Sequence, residues 1–137
     1  MSVFTHFILW NLGLAKPWTF YTQKECNVLE AYAKDMKRIV EIGCWQGVNT
    51  KRMRSVMDPN GTLFAVDPYA PGRLGFSASQ IIAHREVAKE KKGQVVWLRM
   101  FDVQAAARFQ SSHELPVDLI FSDAVNSYEG LRKTWEA

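Results

Sequence analysis

A chain of 137 residues with 47% apolar and 23% charged side chains carries enough apolar surface for one folded core, which excludes a disordered segment and leaves little room for a second domain. Its net charge of +3 is scattered over Lys37-Arg38, Lys51-Arg52, Arg54 and the run from Lys89 to Lys92. Such scatter fits solvated helix faces and argues against a nucleic-acid footprint, which would be denser and one-sided.

Val3 to Leu14 is apolar, with Phe4, Phe7, Ile8, Leu9 and Trp10, yet falls short of the ~20 residues a membrane span needs. It contains His6 and lacks the basic leader and small-residue cleavage site of a signal peptide, so no membrane partner is expected. Cys26 and Cys44 give neither zinc spacing nor a disulfide framework, and a reducing, cytoplasmic compartment follows as the expectation. Residues 1–21 read as an aromatic lead-in, irregular around Pro17 and Trp18, that packs over the domain or over its ligand. Residues 22–137 read as the domain itself.

Thr22 and Glu25 form a capping-box pair, and Cys26, Leu29, Ala33 and Met36 follow as one apolar helical stripe. Arg38 to Ile42 has the β-branched run of a central parallel strand, which Gly43 ends in a sharp turn. Glu41 interrupts that run with a carboxylate that must find a partner. In the turn Gly43-Cys44-Trp45-Gln46-Gly47, two glycines remove side chains where a ligand or a crossing backbone comes close. Asn49 or Thr50 is placed to cap the next helix, whose stripe is Met53, Val56 and Met57. Asp58-Pro59-Asn60-Gly61 ends it.

Thr62 to Val66 is the second strand, and Asp67 stands at its carboxyl end, the edge at which open α/β sheets bind ligands. Asp67 follows Gly47 by twenty positions, the interval expected of a ribose-binding acid, and a strand-end aspartate that caps the next turn reads the same way. Ser77 or Ser79 starts a helix running to about Lys92, with Ile81, Ile82 and Ala88 inward, Glu86 solvated, and His84 on an outer face. Val95 to Met100 is the third strand, followed by Phe101 and Asp102, which read either as flanking a ligand's ring or as a core aromatic and a helix cap. A short helix spans Ala105 to Phe109. Val117 to Phe121 is the fourth strand, ending at Ser122-Asp123. Four strands alternating with helices predict an α/β, Rossmann-like parallel sheet with helices on both faces, truncated after the fourth strand.

Three segments together carry a family resemblance. Glu41-Ile42-Gly43 with Gly47 and Thr50 resembles motif I of the class I S-adenosylmethionine-dependent methyltransferases, and Ala65-Val66-Asp67-Pro68-Tyr69 is similar to their second strand end. Asp118-Leu119-Ile120-Phe121-Ser122-Asp123-Ala124-Val125-Asn126-Ser127-Tyr128-Glu129-Gly130 resembles motif IV of the small-molecule and sugar O-methyltransferases. The resemblance implies a Rossmann-like fold, S-adenosylmethionine as cofactor and methyl transfer to a small-molecule acceptor, at oxygen. It places Glu41, Gly43 and Gly47 at the methionine part of the donor, Asp67 at the ribose, Phe101 and Asp102 at the adenine, and Asp123 at the methyl-transfer site.

Val125 and Asn126 stand where the group carries an aspartate and a histidine, so no metal site is expected and Asp123 alone remains, either to accept the acceptor's proton or to orient the acceptor. The group also continues for another helix and three strands. A homodimer or a completing polypeptide paired through the fourth-strand edge is therefore expected. A non-catalytic donor-binding or partner-binding remnant is one rival function. A nucleotide-dependent oxidoreductase is another, weakened because Trp45 occupies the middle glycine of Gly-x-Gly-x-x-Gly.

Overall fold

The structure is a computed structural model that describes residues 2–72, 75–112, 116–124 and 132. Among the described residues the elements are, in chain order, α1 (Val3–Asn11), α2 (Gln23–Ala33), β1 (Arg38–Ile42), α3 (Val48–Val56), β2 (Thr62–Val66), α4 (Ala78–Val87), β3 (Gln94–Leu98), α5 (Asp102–Ser111) and β4 (Leu119–Ser122). The strands form one parallel sheet in the order β3-β2-β1-β4. β1 lies between β2 and β4, so its carboxyl end is flanked by both neighbours' ends, with Ile42 opposite Val66 and Ser122.

Strand alternation sorts the core into two layers. Ile39, Leu63 and Ala65 point to one face and pack with Leu29 and Ala33 of α2, Met53 of α3, Met57 just beyond it and Ala83 of α4. Val40, Ile42, Phe64, Val66 and Leu98 point to the other, where α5 supplies Ala105 and Phe109. Helices therefore cover both faces, as a parallel sheet requires. β4 is an edge of the described sheet, and Ile120 is 56% exposed there.

The helix signals hold unevenly. Thr22 and Glu25 make the reciprocal capping box of α2, but α3 starts on Gly47 with no side-chain cap. Thr50 lies within α3 with its hydroxyl turned to Glu41, so neither it nor Asn49 serves as the cap. α4 is capped by Ser77 and ends at Val87, short of Lys92. The carbonyls of Val87, its last residue, and of Lys92 and Gly93 beyond it accept from the Arg54 guanidinium, which fixes a non-helical path. α5 is longer than its core residues suggest, with Asp102 as its first residue.

Glu86 is buried, contrary to the solvated face expected for it. Burial pushes its carboxyl up, but hydrogen bonds from Lys89 and Trp10 and the charges of Lys89 and Lys51 outweigh that and leave it below the ordinary carboxylate range. The Trp10 indole N–H donates to it at 2.8 Å, and this bond ties α1 to α4. His84 is also part of the packing, stacked on Trp97 with ring centroids 4.1 Å apart.

Candidate functional site

All four strands deliver their carboxyl ends to one cavity of about 480 Å³. Its walls include Ile42 and Gly43 after β1, Asp67 and Pro68 after β2, Met100 to Asp102 after β3, and Asp123 and Ala124 after β4. Gly43, Asp67, Phe101, Asp102 and Asp123, dispersed over eighty positions, are thus brought together. Phe101 is 63% exposed, which removes the reading of it as a core aromatic. Asp102 begins α5, where a carboxylate faces the positive end of the helix dipole.

The turn after β1 is a constrained backbone. Gly43 has φ +89, and a Cβ there would lie 2.8 Å from the Ala124 nitrogen and 2.9 Å from the Asp123 carbonyl carbon. The end of β4 therefore requires a glycine. Gly47, at φ +75, would direct a Cβ to within 3.0 Å of Ala83 and Val87 on α4. It does not line the cavity, and helix packing accounts for its missing side chain. Trp45 has a left-handed backbone, with φ +46, although it carries a Cβ.

Asp67 stabilises that turn. Its Oδ2 accepts from the amides of Cys44 at 3.0 Å and Trp45 at 2.9 Å, and its Oδ1 from the amide of Tyr69 at 2.8 Å. Three of the roughly four lone-pair positions of a carboxylate are used. One remains, where two vicinal hydroxyls ask for two.

Glu41 lies beneath the turn and is wholly buried, away from the cavity wall. Its Oε2 accepts from the Thr50 hydroxyl, while Oε1 has no partner among the described residues. Burial pushes its carboxyl up to about 8, against the pull of the Thr50 and Cys44 hydrogen bonds and with further lift from the charges of Asp123 and Asp67. Asn49 is buried too, with Oδ1 lacking a partner, and borders a narrow pocket between the turn and residues 18–21. Of the two orphaned oxygens, that of Asn49 belongs to a residue bordering a pocket, where a ligand's N–H would suit it, and that of Glu41 is sealed beneath the turn.

The lead-in supplies an aromatic wall. Phe20 lies flat on Trp45, with centroids 4.9 Å apart and planes 2° off parallel, and is 89% exposed. The Trp18 amide donates to Gln46 Oε1 at 2.6 Å, and Trp18 stacks on the buried His6 ring. His6 Nε2 donates to the Lys16 carbonyl at 2.9 Å, which leaves Nδ1 to accept from the Gln46 side-chain amide at 3.3 Å. The Tyr21 hydroxyl hydrogen-bonds to Asp123; burial first, then this bond and the charge of Asp123, push it far above the ordinary phenol range. Sequence spacing assigned Phe20, Tyr21 and Asn49 no site role, because nothing local separates an exposed or orphaned side chain from an ordinary one.

Val125 and Asn126 lie outside the described residues. Among the described residues, no group of three or more His, Cys, Asp and Glu side chains is clustered to hold a metal ion, and no helix is long and apolar enough to cross a membrane.

The sequence matches no protein-family model and no curated protein. Among solved structures, it is similar in fold to the O-methyltransferase from Bacillus cereus in complex with SAH, with a TM-score of 0.63 at 15% identity. The match covers 98% of this chain and 60% of that one, so the chain spans under two thirds of that enzyme's length. The fold is thus the Rossmann-like α/β fold that a methyltransferase also uses.

Proposed function

We propose that this chain binds S-adenosylmethionine in the cavity at the strand ends and takes part in methyl transfer to the oxygen of a small-molecule acceptor. The observation that carries the proposal is the convergence of Gly43, Asp67, Phe101, Asp102 and Asp123 on one cavity in a fold shared with an SAH-bound O-methyltransferase. The orphaned oxygen of Asn49 fits the N–H-bearing methionine end of this donor, and Glu41, beneath the turn, acts on its positive charge from below. Phe101 offers a ring face to the adenine, and Asp102 stands beside it for the exocyclic amine. Asp67 accepts one ribose hydroxyl on its remaining lone pair while holding the turn. Gly43 allows close approach at the methionine end, and Gly47 contributes indirectly, by seating α3 against α4.

The donor supplies a methyl group already activated for displacement by a nucleophile. The protein's part is to position the acceptor in line and receive its proton. Asp123, exposed at the cavity and hydrogen-bonded by Tyr21, is the group assigned to that proton. The β4 edge is assigned to strand pairing with a second copy or another polypeptide, which light scattering over a concentration series tests. Incubation with methyl-labelled donor and a panel of hydroxylated small molecules tests the transfer. Label recovered in an ether product supports it. Donor binding with no transfer over a broad panel favours the non-catalytic remnant.

A further inference from the structure

We propose that Glu41 couples capture of the donor to release of a proton, being a neutral carboxylic acid in the free protein and a carboxylate when a cationic ligand occupies the adjacent cavity. The inference rests on the donor reading above and deepens it.

The geometry points to this role. Glu41 is wholly buried one residue from the carboxyl end of β1, an inner strand of the sheet, with one oxygen on Thr50 and the other without a partner among the described residues. The groups that act on it electrostatically are Asp67 from the end of β2, Asp123 from the end of β4 and Cys44 from the turn. Tyr21 of the lead-in and Tyr69 beyond β2 feel its charge in turn. None of these five is a cation. The basic residues of α3 are engaged elsewhere: Lys51 with Glu86, Arg52 with Glu30 and Gln23, Arg54 with backbone carbonyls. An ionised Glu41 would therefore be a buried anion acted on by Asp67 and Asp123 with no counter-charge among the described residues, which desolvation and repulsion both oppose. Its carboxyl is accordingly pushed up to about 8.

S-adenosylmethionine carries a sulfonium and an ammonium group. Their positive charge favours the carboxylate and lowers the proton affinity of Glu41 in the complex. The balance is simple: acid plus cationic donor gives carboxylate-donor complex plus one proton passed to solvent. Below about 8 the proton competes with the donor, so affinity rises with pH and levels off above that value. Methyl transfer removes the sulfonium charge. Glu41 then regains a proton more readily, which weakens the hold on the demethylated product and favours its exit.

Two measurements on the full chain test the coupling. Carbon-13 NMR of the Glu41 side-chain carboxyl is followed against pH, and S-adenosylmethionine is titrated calorimetrically in buffers of different ionisation heat. The free protein should show a Glu41 midpoint near 8 that moves down in the complex. Binding at pH 7 should release about one proton beyond that released by the Glu41→Gln variant, which subtracts any contribution from the ligand's own amino group. Wild-type affinity should gain about tenfold per pH unit between pH 6 and 7.5, and the variant's should stay much flatter. A Glu41 midpoint at an ordinary 4.5, or proton release and pH dependence unchanged in the variant, would overturn the coupling while leaving donor binding intact. Absence of donor binding at every pH would overturn the donor reading, and the coupling with it.

Discussion

The amide of Trp45 donates to Oδ2 of Asp67 at 2.9 Å while Trp45 sits at φ +46, a backbone state that a residue with a Cβ adopts at a cost. The acid at the end of β2 thereby sets the shape of the turn after β1, twenty-two positions earlier. Asp67→Ala should destabilise the fold by about 1–3 kcal/mol through lost hydrogen bonds to a charged acceptor, and should weaken donor binding by a similar amount. Denaturant unfolding and calorimetry with S-adenosylmethionine check the pair. Loss of affinity at unchanged stability would mean that Asp67 acts on the ligand and not on the turn.

Gly43→Ala should be far more damaging than its one added methyl suggests. The new Cβ would stand under 3.0 Å from backbone atoms of Asp123 and Ala124, and the backbone is at φ +89. Donor affinity should fall at least tenfold with most helical circular dichroism retained, because only the turn and the end of β4 have to shift. Gly47→Val should instead lower the unfolding midpoint, since its contacts are Ala83 and Val87 of α4.

Glu41 should make the protein less stable as pH rises. Its carboxyl titrates at about 8 folded against 4.5 unfolded, so the native state binds more protons between those values. Stability from this group is full below 4.5 and declines up to about 8. Glu41→Gln cannot ionise, and its unfolding free energy should gain on the wild type by a few kcal/mol between pH 5 and pH 8.5. Thermal unfolding of both proteins at the two pH values checks it. An equal difference at both would show that Glu41 is an ordinary carboxylate.

Trp10→Phe should cost about 1–2 kcal/mol by removing the N–H that reaches buried Glu86. The loss should appear as faster hydrogen exchange in α1 before α4 responds.

The fold was largely legible because strand signals are local. β1 and β2 match their β-branched runs residue for residue, and the acids after β2, β3 and β4 fall at the same sheet edge as the turn after β1. Less legible were contacts set by distant chain. The Lys89 to Lys92 run continues helical composition, but Arg54 holds the carbonyl of Lys92 and those of Val87 and Gly93 on either side of the run. Glu86 reads as solvated until Trp10, seventy-six positions away, is packed over it. The lead-in reads as an aromatic segment packing over the domain or its ligand, and its sequence does not say that Phe20 lies on Trp45 or that Tyr21 reaches Asp123.

The turn after β1 and the acids around it are proposed to form a donor site. Calorimetric titration of the wild-type protein and of Gly43→Ala with S-adenosylmethionine and its demethylated product tests this most directly, since it needs no acceptor. The account predicts saturable one-to-one binding to the wild type and a loss of at least tenfold in the folded variant. No binding to the wild type, or equal binding to both proteins, would contradict it.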